Sequence, residues 1–192
     1  MKIILASKSP RRKELLGILG VDFDIMVSDE EEILDSNLSL EKQAENISYI
    51  KAKSIFDKTA GDRIVIGSDT MVAGINGKIY GKPKDREDAI NTLQELSGVK
   101  HNVITGLCIL VQKGDKYIEH IDNDLAEVYF NDMTQKEIEA WVDTGEAYDK
   151  AGSYAVQGKF CVHIEKINGN YTTVMGIPIN KVYNILKEYI DI

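Results

Sequence analysis

The hydrophobic pattern of the first thirty residues alternates between the period of a strand and that of a helix. Residues 2–6 (KIILA) are a short apolar run that predicts a buried strand, and residues 23–27 predict a second strand. Between them, leucines recur on one helical face. They predict a helix that starts near Pro10, where a missing N–H costs nothing, and that stops at Gly20.

A longer helix is predicted from Ser39 to about Lys58, with apolar residues spaced along one face. Lys51 lies four residues after Ile47 and four before Ile55, so it falls within that apolar stripe. Two interpretations of this lysine stay open. Its stem can lie along the edge of the core with the ammonium in water, or the ammonium can point into a binding site.

The rest of the chain contains more strand patterns, several of them paired. An apolar strand is predicted for residues 63–67, ending at Ser68, followed by a hairpin over residues 71–81 that turns at Asn76 and Gly77. The later predicted elements are a helix capped by Asp85 and ending at Leu96, paired strands 101–112 and 117–130, a helix from Thr134 to about Thr144 with a capping box, a hairpin of 158–167 with 171–174, and a helix after Pro178. This mixture predicts an α/β fold with a mixed, partly antiparallel sheet flanked by helices.

Composition narrows the class of protein without identifying it. The 192 residues suit one domain or two tightly joined lobes, and 43% hydrophobic with 28% charged residues is an ordinary globular balance. The net charge of −8 argues against a general nucleic-acid binder, which would carry a basic excess. No apolar run approaches a membrane span and no signal peptide is recognisable, so a cytoplasmic protein without a membrane role is expected.

The cysteines and histidines do not have the spacing of metal ligands. Cys108 and Cys161 lie far apart in apolar stretches, so both are expected to be buried core thiols in a reducing compartment. The three histidines are scattered along the chain, which favours structural roles for them.

The segment 5–16 (LASKSPRRKELL) places hydroxyl and guanidinium groups where a strand ends and a helix begins. A helix N-terminus attracts phosphate through its free N–H groups and its dipole. Ser7 and Ser9 can add hydroxyl donors, and Arg11 and Arg12 can bind phosphate in a bidentate manner. The segment predicts a polyanion site, although solvated arginines on an amphipathic helix would give the same pattern.

Asp69 directly follows a predicted apolar strand, which is where open α/β sheets bind their ligands. A carboxylate in that position can bind a metal ion or accept a proton from water. An aspartate after a strand can also simply form a turn, so position alone favours a functional role only slightly.

Two further stretches could contact a nucleotide. Lys82 follows Gly81 in a turn made rigid by Pro83. Gln157 is the one amide of a small-residue loop over 149–158, where the backbone can approach a ligand closely. An amide such as Gln157 can read the edge of a base. The candidate cations and carboxylates together match the needs of a metal-bound triphosphate: Arg11, Arg12, Lys51, Lys82, Glu31, Glu32 and Asp69.

Four motifs in this order resemble those of the Maf family, the septum-formation-protein-like nucleotide pyrophosphatases: LASKSPRRKELL, GSDTMV, GKPKDREDAINTLQELSGVKHNVITG, and DKAGSYAVQGKF with the later GNYTTVMGIPI. The resemblance covers nearly the whole chain, as a single domain over 1–192. It implies two lobes around a mixed sheet with a cleft between them. It also implies hydrolysis of a nucleoside triphosphate to monophosphate and pyrophosphate with a divalent metal, Mg²⁺ or Mn²⁺.

The resemblance also implies roles for individual residues. Asp69 matches the family's proton acceptor, and the form DKAGSYAVQG is similar to the branch that acts on dTTP and UTP. Positions near phosphate and metal are matched by Ser9, Arg12, Glu32, Lys51 and Lys82, and positions linked to substrate choice by Arg12, Thr70 and Gln157. The chain departs from the family at Ile47-Ser48, where Leu-Ala is usual. Glu30 adds a third glutamate, so the choice between Glu31 and Glu32 stays open.

Attack by water on the α-phosphate, with Asp69 as base and a metal held by Asp69 or Glu32, is the mechanism expected from these residues. Two alternatives remain open: a nucleotidyltransferase, and a non-catalytic nucleotide-binding regulator of cell division. The resemblance favours a homodimer. The biological role could be division arrest or removal of modified pyrimidine nucleotides from the nucleotide pool.

Overall fold

The computed structural model describes residues 1–28, 30, 34, 35 and 37–192. The strands are β1 (Lys2–Leu5), β2 (Asp24–Ile25), β3 (Arg63–Gly74), β4 (Ile79–Tyr80), β5 (Lys100–Lys113), β6 (Lys116–Phe130) and β7 (Ile164–Asn168). The helices are α1 (Pro10–Gly17), α2 (Leu40–Asp57), α3 (Arg86–Leu96), α4 (Gln135–Val142), α5 (Tyr171–Met175) and α6 (Ile179–Leu186). Two 3₁₀ helices cover Ala151–Ser153 and Gly158–His163.

The strands form one mixed sheet with the order β2-β1-β3-β5-β6-β7, and β4 pairs with β3. β1 is parallel to both β2 and β3, with Leu5 opposite Ile25 on one side and Ile66 on the other. β4 is antiparallel to β3, and β7 is antiparallel to β6. The predicted α/β fold with a mixed, partly antiparallel sheet is confirmed.

By its internal contacts the chain divides into two compact units. The first unit comprises Met1–Thr70, Thr105–Asp124 and Gly176–Ile192, and the second comprises Met71–Ile104 and Leu125–Met175. Each unit has a core of its own, and the cleft expected from the resemblance stays a prediction.

In the first unit, α2 packs against the sheet with its backbone in direct contact. A Cβ on Gly67 would lie 2.3 Å from the Ser48 carbonyl oxygen, and a Cβ on Gly106 would lie 2.1 Å from that of Ala44. Only glycine permits so close an approach at these two strand positions. Around this contact lies a core of Ile4, Ala6, Ala52, Ile55, Phe56, Val65, Cys108 and Leu110.

The core of the second unit is largely aromatic. The His101 ring meets Phe130 edge-on with centroids 4.7 Å apart, and its Nε2 is 2.8 Å from the Tyr154 hydroxyl. Phe160 packs between Tyr154 and Trp141, and the Trp141 Nε1–H donates to the Ser153 carbonyl at 2.8 Å. Edge-to-face and tilted aromatic contacts stabilise the core beyond the burial of apolar area alone.

The predicted end of a strand at Ser68 is wrong, because β3 continues to Gly74. It pairs with β1 up to Ile66 and with β4 from Val72, so new backbone partners replace the old ones within a few residues. The hairpin beyond it is confirmed, but its turn closes with the Gly77 N–H donating to the Gly74 carbonyl. The central residues are therefore Ile75 and Asn76 rather than Asn76 and Gly77.

The predicted C-terminal hairpin is also wrong. Residues 158–163 form a 3₁₀ helix, β7 pairs with β6, and residues 171–175 form α5. Asn170 explains the start of that helix, because its Oδ1 accepts hydrogen bonds from the N–H and the hydroxyl of Thr172. Cys161 lies in the 3₁₀ helix and is exposed, so only Cys108 is the buried thiol expected.

Candidate active site

Lys51 and Asp69 form an ion pair in the first unit. The Lys51 Nζ is 2.6 Å from the Asp69 Oδ1, and the two side chains are only 14% and 10% exposed. Lys51 lies one helical turn beyond Ser48, and Asp69 lies two residues beyond Gly67. The close approach of α2 at Gly67 therefore brings the ammonium to the carboxylate. The ammonium of Lys51 is therefore paired with a carboxylate and does not lie in water, whereas its role in a binding site stays a prediction.

Three groups among the described residues accept hydrogen bonds from the Arg12 side chain. Its Nε donates to the Gly176 carbonyl at 2.8 Å, one terminal nitrogen donates to the Ser7 hydroxyl at 3.3 Å, and the other donates to the Thr70 hydroxyl at 3.1 Å. Ser9 is the N-cap of α1 and accepts from the Arg12 backbone N–H at 3.5 Å. The structure thus joins Thr70 to Ser7, Ser9 and Arg12, which the sequence had already grouped in one segment.

The two groups of residues lie on opposite faces of β3, as the alternation of a strand requires. Gly67 and Asp69 face α2, whereas Ser68 and Thr70 face the Gly176 carbonyl and Arg12. β1 pairs with β3 only as far as Ile66, so Asp69 lies beside the carboxyl end of β1. Asp69 therefore lies within β3 and not after its end, and a ligand site beside the carboxyl end of β1 stays a prediction.

Lys82 and Gln157 belong to the second unit. Lys82 is exposed just after β4, and Gln157 is half-buried at the start of the second 3₁₀ helix. The Gly152 N–H donates to the Gly81 carbonyl at 3.1 Å, with Gly152 at a φ of +70°. This bond ties the loop that carries Gln157 to the turn that carries Lys82.

A polar network anchors the strand that precedes Lys82. The Tyr80 hydroxyl donates to Glu95 on α3 at 2.9 Å, and the Lys78 ammonium lies 2.6 Å from the same carboxylate oxygen. Burial, together with the Glu95 hydrogen bond, raises the pKa of Tyr80 to about 12. A pocket of about 250 Å³ lies beside this network and includes Lys82 and Lys84 in its lining.

The residues proposed for a metal are only partly described. Glu31 and Glu32 lie outside the described residues. Within the described ranges, no three His, Cys, Asp or Glu side chains are grouped so that they could hold a metal ion. Asp69 is a hard oxygen donor, and Mg²⁺ commonly binds through one or two carboxylates together with substrate phosphates. The carboxylate of Asp69 therefore fits a divalent cation. The binding of such a cation there stays a prediction.

Arg11 is the neighbour of Arg12 in the chain, and three further polar groups lie near Arg12 in the folded structure. Arg11 is half-buried in the first turn of α1, next to Arg12. Ser68, Thr105 and Gly176 lie inside the quoted motifs, but the sequence assigned them no role. The Gly176 carbonyl accepts from Arg12 and from Ser68, and the Thr105 hydroxyl is bonded to that of Thr70. A threonine inside a strand carries no local signal of function. Only its tertiary contacts therefore distinguish Thr105 from other threonines of the sheet.

In the part of the chain that the structure describes, no helix combines the length and the apolar character needed to cross a membrane.

Comparison with known proteins gives a consistent result along the whole length. A family model described as Maf-like protein matches residues 2–189. A dTTP/UTP pyrophosphatase of Thermoanaerobacter sp. (strain X514) is 44% identical over 192 residues, covering 100% of this chain and 98% of the relative. A dTTP/UTP pyrophosphatase of Aquifex aeolicus (strain VF5) is 42% identical over 189 residues, covering 98% and 95%.

Among solved structures, a HAM1 protein from Coxiella burnetii matches with a TM-score of 0.50 at 15% identity, covering 98% of this chain and 99% of that one. At that identity the similarity concerns the fold alone. The family match and the full-length relatives, by contrast, settle the classification: this chain belongs to the Maf family.

Proposed function

We propose that the protein is a nucleoside triphosphate pyrophosphatase that hydrolyses dTTP and UTP to the monophosphate and pyrophosphate. Relatives of 40–44% identity along the full length carry the name dTTP/UTP pyrophosphatase. The single structural observation that carries the proposal is the Lys51–Asp69 pair, at 2.6 Å, beside the end of β1. It supplies a cation for phosphate and a carboxylate base in one place.

The proposed reaction is the attack of a water oxygen on the α-phosphorus. The new P–O bond forms as the bond from the α-phosphorus to the bridging oxygen breaks, and pyrophosphate leaves. Lys51 holds Asp69 through Oδ1, so we assign Oδ2 as the atom that accepts the water proton. Arg12, Lys51 and Lys82 bind the phosphate oxygens and stabilise the charge that develops on them.

A divalent cation, Mg²⁺ or Mn²⁺, would bind to Asp69 and Glu32 and would neutralise phosphate charge. Gln157 would select the base, because its amide has one acceptor and a donor group that match the N3–H and the O4 of uracil and thymine. Thr70 and Arg12, which are joined at 3.1 Å, would contact the same nucleotide.

The test is a screen of ordinary and modified nucleoside triphosphates for pyrophosphate release, with and without Mg²⁺ or Mn²⁺. The wild type should release pyrophosphate from dTTP and UTP in preference to purine nucleotides. Asp69→Asn should lower kcat by about 10²–10⁴-fold, the usual range for loss of a general base. The unfolding midpoint of each variant serves as the control for folding.

Three outcomes would count against the proposal. Near-native turnover by a folded Asp69→Asn would reject Asp69 as the base. A requirement for a second phosphorylated substrate as acceptor would indicate a nucleotidyltransferase, whereas free monophosphate without an acceptor excludes one. Nucleotide binding without any pyrophosphate release would indicate a non-catalytic regulator.

The cytoplasmic location, the homodimer, the absence of nucleic-acid binding, and the role in division arrest or pool cleansing stay predictions.

A further inference from the structure

Three residues of the first unit support the contact between Arg12 and Thr70: Ser68, Thr105 and Gly176. The Gly176 carbonyl accepts from the Arg12 Nε at 2.8 Å and lies 2.9 Å from the Ser68 hydroxyl. On the other side, the Thr70 hydroxyl lies 3.1 Å from Arg12 and 3.0 Å from the Thr105 hydroxyl. The guanidinium is therefore held at Gly176 and Thr70 as well as at Ser7, and Gly176 and Thr70 are each held by a further residue.

The number of protons limits how Arg12, Thr70 and Thr105 can form hydrogen bonds with one another. A guanidinium only donates, so the Thr70 oxygen accepts from Arg12. Thr70 has one proton of its own. Either that proton points to Thr105, or Thr105 donates to Thr70 and leaves the Thr70 proton for another acceptor. In both arrangements Thr105 fixes the rotation of the Thr70 hydroxyl. It thereby determines whether Thr70 can donate a hydrogen bond to a ligand.

Burial separates the supporting residues from those that can meet a ligand. Ser68 and Thr105 have no exposed surface, whereas Thr70 and Arg12 are each half-buried. Gly176 has a φ of +117°, and a Cβ there would lie 3.3 Å from the Arg12 Nε and 3.4 Å from the Thr70 hydroxyl. A side chain at position 176 would therefore crowd both Arg12 and Thr70.

We infer that Thr105 is a positioning residue for substrate binding, whose hydroxyl orients Thr70 and, through it, the guanidinium of Arg12. It acts on the substrate only through these two side chains. The inference rests on the proposed function, because Arg12 and Thr70 contact the nucleotide there.

The test compares two substitutions that differ in the hydroxyl. Thr105→Val removes it with nearly the same side-chain volume, and Thr105→Ser keeps it while removing a methyl group. A hydrogen bond contributes about 1 kcal/mol, so Thr105→Val should raise KM for dTTP and UTP about fivefold and leave kcat nearly unchanged. Thr105→Ser should keep KM close to the wild-type value.

Coupling to Thr70 gives a second readout that a merely structural residue would not move. In a Thr70→Val background, Thr105→Val should raise KM no further, because the hydroxyl that it orients is gone. The inference is overturned if Thr105→Val has the wild-type KM, if Thr105→Ser raises KM equally, or if the effects of the two valine substitutions multiply. Should Thr105→Val not fold, Thr105→Cys replaces it, since a thiol is a weak hydrogen-bonding group of similar size.

The two possible failures can be told apart. If the wild type releases no pyrophosphate from any nucleotide, the proposed function fails. The same variants are then compared by their Kd for dTTP, measured by calorimetry, with the same fivefold expectation for Thr105→Val. An active wild type with an unaffected Thr105→Val rejects only the role of Thr105.

Discussion

At the scale of residues, the Lys51–Asp69 pair exposes only about a tenth of each side chain. Removing charges from water is costly, and a mostly buried ion pair offsets that cost only while both partners are present. Lys51→Met leaves the Asp69 carboxylate without this cation. We expect it to lower the free energy of unfolding by about 3 kcal/mol, as measured by urea denaturation.

The matched control for that prediction is the double variant Lys51→Met with Asp69→Asn. It removes both charges, so about half of the lost stability or more should return, a coupling typical of residues in contact. Additive losses from the two single substitutions would show that the pair does not stabilise the fold through its charges.

At the scale of elements, the position of α2 depends on two glycines of the sheet. Gly106→Ala would place a Cβ 2.1 Å from the Ala44 carbonyl oxygen, so α2 must move away from β5. Overpacking of this kind costs about 1–3 kcal/mol, and displacement of Lys51 should lower kcat as well. Thermal unfolding and dTTP turnover together test this expectation.

Gly17 provides the control for Gly106. It is the last residue of α1, and a Cβ at that position would have no heavy atom within 4 Å outside its own helix and chain neighbours. Gly17→Ala should raise stability by up to about 1 kcal/mol, because alanine favours a helix over glycine. Equal effects of the two alanine substitutions would contradict the close approach of α2.

At the scale of the whole molecule, stability should fall in acid because His101 is buried without charge. Desolvation lowers the pKa of His101 from 6.5 to about 4. Between these values the unfolded chain binds a proton that the folded protein does not, so the free energy of unfolding decreases as pH falls from about 6.5 to about 4. The total effect is about 3 kcal/mol, and above pH 6.5 this group contributes no slope.

His101→Gln removes the titration and keeps a polar side chain next to the Tyr154 hydroxyl. Urea midpoints measured between pH 8 and pH 4.5 should show a shallower acid loss for the variant than for the wild type. An identical pH profile would exclude His101 as the source of the loss.

Local patterns were sufficient for most of the helices and strands, although α5 forms where a strand was predicted. Ser39, Asp85 and Thr134 each accept a hydrogen bond from the backbone N–H three residues ahead, so the helix starts could be predicted from adjacent sequence. The placement of Lys51 in an apolar stripe likewise depends only on helical periodicity. The polar residues from Ser68 onward misled the prediction of a strand end, because partners elsewhere in the sheet kept β3 extended.

The sequence by itself determined the chemistry of the candidate site: arginines at a helix start, a lysine in an apolar stripe, and an aspartate that follows an apolar run. Only the tertiary structure decided which groups meet. Arg12 bonds to a carbonyl 164 residues away, and Thr70 bonds to a hydroxyl 35 residues away. Periodicity and capping act over three or four residues, whereas such contacts depend on how strands and helices pack. For that reason the roles of Thr105, Ser68 and Gly176 became visible only in the folded chain.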